Sequence, residues 1–216
     1  MNFNADQYFD LLFPEDVALA HINETIKNAG MPEISVAPGY GRLLTLLVSV
    51  SHSKRVLEIG ALGGYSGVCL ARGLTSEGTL TSLELREDFA HVAQSNMNAC
   101  GFGGQVSYRI GDAKKSLQQL ADEGERFDFF FIDADKENYP QYLEWCINLA
   151  NDGALIAADN TLLRGRILDV TKQGPSVMAV RKFNETIANH PQLLGVHLPA
   201  YDGLALARVS VPGIRT

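Results

Sequence analysis

The chain has 216 residues, of which 46% are hydrophobic, and this length accommodates one large α/β domain or two small ones. The hydrophobic fraction supports a substantial core and excludes an intrinsically disordered chain. The formal net charge of −7 disfavours a nucleic-acid-binding protein, because such proteins normally carry a basic excess.

The sequence also argues against membrane insertion and secretion. No segment approaches the ~20 apolar residues that a membrane-spanning helix needs. The N-terminal stretch MNFNADQYFD lacks the basic region of a secretory signal. The three cysteines, Cys69, Cys100 and Cys146, have no metal-binding spacing, and their odd number indicates reduced thiols. We therefore expect a cytoplasmic protein without a membrane partner.

The predicted elements begin with helices and continue as an alternation of strands and helices. Residues 6–30 have helical spacing that is interrupted at Pro14 and ended by Gly30, and residues 39–52 form a second helical pattern. Short apolar runs rich in β-formers then alternate with helical patterns, which indicates a parallel sheet covered by helices on both faces. The predicted strands are 55–60, 79–85, 105–110, 127–133 and 154–159, and the predicted helices lie near 64–73, 86–100, 113–123 and 138–151.

The end of the chain has a different pattern. Segments 193–198 and 204–209 are predicted strands, and only five residues separate them. A parallel crossover needs about a dozen residues or more, so the last strand must pair antiparallel or leave the sheet. The predicted fold class is α/β, with a doubly wound, seven-stranded, mostly parallel sheet. We expect one domain over 1–216, in which a helical N-terminal extension (1–53) precedes an α/β core (54–216).

A glycine-rich turn follows the first predicted strand. In VLEIGALGGYSG (56–67), glycines allow the backbone to turn sharply and to approach a ligand at a helix N-terminus. The dinucleotide-binding pattern would place glycines where this chain has Leu62 and Tyr65, which disfavours a nicotinamide cofactor. Glu84, at the end of the second strand, can accept hydrogen bonds from ribose hydroxyls. Turn and acid together predict a nucleoside site; the alternative is an ordinary turn and a surface glutamate.

Acidic side chains end the fourth and fifth strands. Asp133 ends the fourth, and Asp159 with Asn160 ends the fifth. Neighbouring parallel strands open into the same crevice, so these oxygens are expected to converge, and a cation would relieve their repulsion. An all-oxygen ligand set suits Mg²⁺ or Ca²⁺, whereas the alternative is that each aspartate caps the following helix. Lys136, three residues after Asp133, is a candidate general base or else a solvated surface lysine.

Four motifs, VLEIGALGGYSG, SLELRE, FIDADKENY and ADNTLLRG, resemble in order and spacing the class I S-adenosylmethionine-dependent O-methyltransferases of the caffeoyl-CoA and catechol type. PEISVAPGYGRLL and YDGLALARV resemble segments of the bacterial members. The resemblance implies a Rossmann-like methyltransferase fold with an antiparallel C-terminal hairpin. It also implies cation-dependent methylation of one hydroxyl of a vicinal aromatic diol, such as a caffeoyl derivative or a flavonoid. Mg²⁺ is the expected metal, with Ca²⁺ or Mn²⁺ as alternatives, and a homodimer is the expected assembly.

The resemblance also assigns roles to individual positions. Glu84 matches the ribose-binding acid and Ala113 an adenine contact, while Lys136 with Asp133 forms the expected catalytic pair. Glu58 lies within an apolar run, so it needs a partner such as an ammonium-bearing ligand or a backbone amide. The positions that match cofactor-binding residues are Val36, Glu58, Gly60, Ala61, Ser66, Glu84, Ala113 and Asp135. The positions that match metal ligands are Asp133, Asp159 and Asn160.

The chain departs from the plant members of that family near the acceptor. Leu163 and Arg164 replace an aromatic residue and an asparagine, and the segment APGYGR is expected to place Tyr40 and Arg42 near the entrance of the site. These departures disfavour a plant-like phenylpropanoid-CoA preference. Arg164 and Arg166 are candidates for contacting an anionic acceptor, although loop arginines are commonly only solvated.

Three other functions stay open at the level of sequence. A nicotinamide-dependent oxidoreductase conflicts with the glycine spacing and with the final hairpin. A phosphatase that uses DADK as an Asp-x-Asp nucleophile would not need Glu84 or the glycine turn. A non-catalytic S-adenosylmethionine-binding regulator would not need the metal and base positions.

Overall fold

The computed structural model describes residues 3–210. Short 3₁₀ turns lie at Lys136–Asn138 and Arg166–Leu168. The helices are α1 (Ala5–Asp10), α2 (Val17–Asn28), α3 (Pro38–Val50), α4 (Tyr65–Gly73), α5 (Glu87–Ala99), α6 (Ala113–Asp122), α7 (Tyr139–Leu149) and α8 (Pro175–Asn189). The strands are β1 (Arg55–Ile59), β2 (Thr79–Glu84), β3 (Val106–Ile110), β4 (Phe127–Ile132), β5 (Ala150–Asp159), β6 (Leu193–Leu198) and β7 (Leu204–Val209).

The seven strands form one mixed sheet in the order β3-β2-β1-β4-β5-β7-β6. Strands β1 to β5 pair in parallel, whereas β7 pairs antiparallel with both β5 and β6. The predicted α/β fold class and the predicted antiparallel hairpin are therefore confirmed. The strand order reverses between β1 and β4, and open α/β sheets bind their ligands in the crevice at such a switch point.

The sheet separates two apolar cores. Phe127 and Phe130 of β4 face the core formed with α6, α7 and α8. Phe129 and Phe131 face the opposite core, which is formed with α2, α3, α4 and α5. All four rings are at most 1% exposed. Because helices cover both faces, β4 is apolar at every position near its carboxyl end instead of alternating, and that end is held in place on both sides.

Two features of the second half of the chain were not predicted from the sequence. No helix was expected at α8, although Val177, Val180, Phe183 and Ile187 follow helical spacing and are all buried. Strand β5 also begins at Ala150, where the pattern of 138–151 predicted helix. The pairing of β4 with β5 shifts register in this region, so tertiary pairing overrides the local helical pattern.

The N-terminal helices pack on the same face of the sheet as α4. Helix α3 packs along α4, and α2 contributes Leu19, Ile22 and Ile26 to the core on that side. Helix α2 begins after Asp16, whose side chain accepts a hydrogen bond from the Leu19 amide at 3.1 Å. Within the described part of the chain, no helix is long and apolar enough to cross a membrane.

Candidate active site

A cavity of about 1070 Å³ opens at the carboxyl ends of the parallel strands. Its walls are formed by the segments that follow β1 to β5, by residues 32–36 and by Asp202. The predicted site residues that line it are Val36, Gly60, Ala61, Ser66, Glu84, Ala113, Asp133, Asp135, Lys136 and Asn160. Glu58 and Asp159 do not line it, and both are buried behind the wall.

The glycine-rich turn is fixed by close contact with the neighbouring strand end. Gly60 has a φ of +100°, and a Cβ atom added there would lie 2.2 Å from the carbonyl oxygen of Asp133. The turn continues through Leu62, which has a left-handed φ of 47°. Glu84 stabilises this conformation, because its Oε2 accepts hydrogen bonds from the amides of Ala61 at 3.2 Å and Leu62 at 2.9 Å. Only glycine fits at position 60.

Glu84 has more contacts than the ribose role alone requires. Its second oxygen, Oε1, accepts a hydrogen bond from the amide of Arg86 at 3.0 Å, and the side chain is 8% exposed. A carboxylate has about four acceptor positions and Glu84 uses three of them on backbone amides, so it can bind the turn and still accept one hydrogen bond from a ligand in the cavity. The sequence predicted the contact with a ligand, and the structure adds the contacts with the backbone turn.

The buried carboxylate of Glu58 is satisfied by two serines. It accepts hydrogen bonds from the hydroxyls of Ser66 and Ser82, each at 2.6 Å, and it is 1% exposed. Burial raises the pKa of Glu58 to about 7, although the two hydroxyls oppose that rise. Two serine hydroxyls therefore satisfy Glu58 within the chain, in addition to the ligand or backbone amide that the sequence suggested as partners. Ser66 lines the cavity, so it connects Glu58 to the wall.

The ends of β4 and β5 form an acidic cluster with one lysine. The Nζ atom of Lys136 donates to Oδ1 of Asp133 at 3.0 Å, and both side chains are partly buried. Asp159 is buried, and its Oδ1 accepts a hydrogen bond from the backbone amide of Asn160 at 2.7 Å. Burial first, and then the charge of Asp133, raise the pKa of Asp159 to about 7.

The alternative that these aspartates cap helices is wrong. The 3₁₀ turn after β4 begins after Asp135 and α7 begins after Asn138, and neither start has a side-chain cap. The next helical turn after β5 begins after Gly165. The carboxylate of Asp133 instead contacts the lysine, and that of Asp159 contacts the amide of the residue that follows it.

The donor set at these strand ends suits a hard cation. Within residues 3–210, no group of three or more His, Cys, Asp and Glu side chains is arranged to hold a metal ion. A cation here would therefore depend on the carboxylates of Asp133 and Asp159, on the amide oxygen of Asn160, and on oxygens of water or substrate. That set matches the preference of Mg²⁺ and Ca²⁺, and it does not suit zinc.

Tyr139 is a site residue that the sequence analysis missed. It is fully buried, and the single proton of its hydroxyl is shared between the carbonyl oxygens of Asp159 at 2.9 Å and Ile132 at 3.2 Å. The same hydroxyl accepts a hydrogen bond from the ammonium group of Lys136. It thus joins the ends of β4 and β5 to the lysine. The three-residue spacing between Lys136 and Tyr139 was the available signal, since such residues share a helix face.

Asp135 is held by two side chains that follow it. Its Oδ1 accepts a hydrogen bond from the hydroxyl of Tyr142 at 2.5 Å, and its Oδ2 accepts one from the amide of Asn138 at 2.5 Å. Tyr142 and Asn138 line the cavity with it. Of the remaining predicted contacts, Val36 precedes α3 and Ala113 is the first residue of α6.

The loop after β5 forms the wall beside Lys136. Asn160, Leu163 and Arg164 have left-handed φ values of 57°, 49° and 52°, respectively, which are uncommon for residues other than glycine. Asp202, in the turn between β6 and β7, supports this conformation. Its Oδ1 accepts the hydrogen bond of the Arg164 amide, and its carbonyl oxygen accepts that of the Leu162 amide at 2.9 Å.

Tyr40 and Arg42, which the sequence analysis expected near the entrance of the site, are not among the residues that line the cavity. The hydroxyl of Tyr40 donates to the carbonyl oxygen of Ala200 at 2.5 Å. The guanidinium of Arg42 pairs with Asp10 at 2.5 Å and lies 4.0 Å from the ring centroid of Phe13. Both residues therefore connect α3 to neighbouring segments, and neither contributes to the cavity wall.

Comparison with known proteins gives consistent matches over nearly the whole chain. A family model described as O-methyltransferase matches residues 14–210. The catechol O-methyltransferase of Niastella koreensis is 41% identical, over 95% of this chain and 96% of that protein. The catechol O-methyltransferase of Mycobacterium tuberculosis is 37% identical, over 95% of each chain. The crystal structure of an O-methyltransferase from Bacillus cereus in complex with SAH is 40% identical, covers 95% of this chain and 96% of that one, and superposes with a TM-score of 0.89.

Proposed function

Because the chain belongs to the O-methyltransferase family and is an enzyme of the catechol and caffeoyl-CoA type, we propose that it methylates one hydroxyl of a vicinal aromatic diol, with S-adenosylmethionine as donor and a divalent cation as cofactor. The observation that carries the proposal is the contact of Lys136 with Asp133, in the same cavity as the glycine turn. Lys136, the proposed base, and the turn proposed to bind the nucleoside thus line one cavity.

The S-adenosylmethionine site is proposed at the turns after β1, β2 and β3. Glu84 would accept a hydrogen bond from the ribose, and Ala113 would contact the adenine. The methionine part would lie against Gly60, Ala61 and Ser66, with Glu58 acting through the Ser66 hydroxyl. Val36 and Asp135 complete the proposed contacts. The SAH complex of the relative from Bacillus cereus supports this cofactor.

The divalent cation is proposed to be Mg²⁺, held by Asp133, Asp159 and Asn160, with Ca²⁺ or Mn²⁺ as alternatives. When bound, such a cation supplies positive charge that orients a diol and favours the ionised form of its hydroxyl. The burial of Asp159 near the charge of Asp133 supports a cation here, because a cation would relieve the repulsion between the two carboxylates.

Lys136 is proposed to remove the proton from the hydroxyl that is methylated. Its Nζ atom is fixed between Asp133 and the hydroxyl of Tyr139, so it is oriented before the acceptor binds. The sulfonium of the donor is already activated. The protein therefore has to supply mainly proximity, orientation and a deprotonated oxygen. A general base contributes about 10²-fold to 10⁴-fold in rate.

A methyl-transfer assay with labelled S-adenosylmethionine tests this function. Catechols, caffeoyl esters and flavonoids are the acceptors, each with Mg²⁺, with EDTA, and with EDTA followed by excess Mg²⁺. We expect transfer with Mg²⁺, its loss with EDTA and its return when Mg²⁺ is restored. Full activity without any divalent ion would refute the metal assignment. Binding of S-adenosylmethionine without methylation of any diol would favour the alternative of a non-catalytic regulator. Membership of the O-methyltransferase family already argues against an oxidoreductase or a phosphatase.

A homodimer is proposed as the assembly. Large apolar side chains near the N-terminus are exposed to solvent, and a surface of this kind is typical of an interaction site. Sedimentation analysis of the wild-type chain tests the proposal, and a monomer at micromolar concentration would refute it. The exposed side chains are Phe3, Tyr8, Phe9, Leu11, Leu12, Phe13 and Val17.

The cytoplasmic location stays a prediction from the sequence.

A further inference from the structure

The turn between β6 and β7 connects two parts of the chain that are distant in sequence. Residues 199–203 form this turn, which is closed by a hydrogen bond of 2.9 Å from the amide of Gly203 to the carbonyl oxygen of Ala200. Tyr201, within the turn, has a left-handed φ of 50°, which is unfavourable for a residue with a Cβ atom. Such a conformation persists only where the surroundings fix it. The contacts of Tyr201 therefore decide whether the turn keeps this shape.

Helix α1 supplies the contacts on one side of the turn. The backbone amide of Tyr201 donates to Oδ2 of Asp6 at 2.9 Å, and its hydroxyl donates to Oδ1 of Asp10 at 3.0 Å. The same oxygen of Asp10 pairs with the guanidinium of Arg42 in α3. None of the six residues of α1, all of which the structure describes, is buried. Polar contacts, and not a buried apolar face, thus hold α1 against the turn, and an element of this kind detaches at a lower free energy than the core does.

The other side of the turn supports the loop that follows β5. Oδ1 of Asp202 accepts a hydrogen bond from the backbone amide of Arg164, and its carbonyl oxygen accepts one from that of Leu162 at 2.9 Å. The carbonyl oxygen of Gly203 accepts a third from the backbone amide of Thr161 at 3.1 Å. These amides belong to the segment that follows the proposed metal ligands at the end of β5, and this segment contributes residues to the cavity wall. The turn therefore holds the acceptor side of the cavity.

Resting on the proposed function, we infer that Tyr201 and Asp202 are positioning residues, through which the docking of α1 fixes the acceptor side of the cavity. Asp202 lines the cavity, whereas Tyr201 and the residues of α1, all within the described part of the chain, do not. When α1 is detached, Tyr201 loses the partners of its amide and its hydroxyl, so the cost of its left-handed φ is no longer offset. The turn then relaxes, and Asp202, the next residue, leaves the amide of Arg164. The affinity for the acceptor thus depends on a helix that lies outside the cavity.

Hydrogen exchange of the full chain, followed by mass spectrometry, measures the loop without requiring any activity. D6A/D10A removes the two α1 carboxylates that contact the turn, and D202A removes the acceptor of a loop amide. Helix α1 keeps its N-cap residue, Asn4, in both variants. We expect both to speed exchange of segment 160–168 at least about threefold, because hydrogen bonds to charged groups are the stronger class. Exchange of this segment at the wild-type rate in D6A/D10A would overturn the inference.

Two control variants separate this coupling from other effects. D202N loses the charge of Asp202 but keeps an oxygen that accepts the loop amide, so exchange of segment 160–168 should stay within about twofold of wild type. Exchange as fast as in D202A would show that the charge acts and not the hydrogen bond, which would overturn the positioning role. E123A/E125A removes two surface carboxylates from ion pairs outside the cavity wall, so this segment should exchange as in wild type. A rate equal to that of D6A/D10A would make the effect of α1 unspecific and overturn the inference.

Steady-state kinetics with catechol and Mg²⁺ then locates the effect within the cavity. D6A/D10A and D202A should each raise KM for the acceptor at least about threefold, while the Kd for S-adenosylmethionine, measured by calorimetry, changes less than about twofold. Equal rises in both constants would indicate a general loss of structure and overturn the positioning role. The triple variant D6A/D10A/D202A should raise KM by less than the product of the two separate fold-changes, because α1 acts through the turn; the full product would show independent effects and refute the coupling. A wild type that methylates no catechol would refute the proposed function, whereas the exchange result would still decide the coupling.

Discussion

Replacing Glu58 by glutamine is expected to remove a large part of the pH dependence of this protein's stability. Glu58 is 1% exposed, and its carboxylate accepts two hydrogen bonds of 2.6 Å from Ser66 and Ser82. Burial raises its pKa from 4.5 to about 7, and the charges of Glu84 and Asp133 add to that rise. The folded protein therefore binds a proton at a pH where the unfolded chain has released it.

The sign and size of the effect follow from the two pKa values. Stability contributed by this proton is fully present below the unfolded pKa of 4.5 and is lost as the pH rises through the folded pKa of about 7. With these values, the linkage relation gives a loss of about 2.5 kcal/mol in the free energy of unfolding between about pH 5 and about pH 8. Typical domains have only about 5–15 kcal/mol in total. The effect is therefore measurable.

Urea denaturation of the wild type and Glu58→Gln at several pH values measures the difference directly. The other titratable groups are common to both proteins, so their contributions largely cancel in the difference between the two free energies of unfolding. That difference should change by about 2.5 kcal/mol in favour of the variant as the pH rises from about 5 to about 8. Glu77→Gln, at an exposed glutamate, is the matched control. A difference that stays constant with pH would refute the assignment of a raised pKa to Glu58.

Three further variants test the site. Lys136→Ala is expected to lower kcat at least about 100-fold while the Kd for S-adenosylmethionine, measured by calorimetry, changes little; unchanged turnover would remove the lysine from the mechanism. Gly60→Ala places a Cβ 2.2 Å from the carbonyl oxygen of Asp133, so thermal denaturation should show a loss of about 3 kcal/mol or more. Gly124→Ala, at a φ of +74° with open space around it, should cost about 1 kcal/mol, and equal losses would contradict the packing argument. Tyr139→Phe should lower kcat about tenfold with little change in KM for the donor, and an unchanged kcat would limit this tyrosine to packing.

Much of the fold could be predicted because local signals and tertiary structure agree. The run from Phe129 to Ile132 is apolar at every position, as expected of a strand with helices on both faces. The five residues between the last two strands were too few for a parallel crossover, which left only antiparallel pairing or departure from the sheet, and β6 pairs antiparallel with β7. In both cases a single physical constraint decided the outcome.

Apart from α8, whose helical spacing is present in the sequence, the features that were missed depend on contacts distant in sequence. The first four residues of β5 become strand only because they pair beside β4, and no local propensity encodes that pairing. Ser82 lies beside Glu58 because the parallel strands β1 and β2 pair these two residues, which are 24 positions apart in the sequence. Tyr139 was assigned no chemistry because its partners, apart from Lys136, are backbone carbonyls. Sequence motifs report side-chain chemistry, whereas backbone acceptors leave no signal.

The stretch from Phe129 to Lys136 also holds the proposed donor site and the proposed acceptor site in a fixed relative position. The amide of Asp133 donates to the carbonyl oxygen of Ile59 at 3.0 Å, and the carbonyl oxygen of Asp133 occupies the space that a side chain at Gly60 would need. The glycine turn and the acidic turn are therefore fixed to each other by backbone contacts between two paired strands. Methyl transfer depends on the alignment of the two reactants to within about 1 Å. A backbone contact at the base of both turns supplies that precision more directly than a network of mobile side chains would.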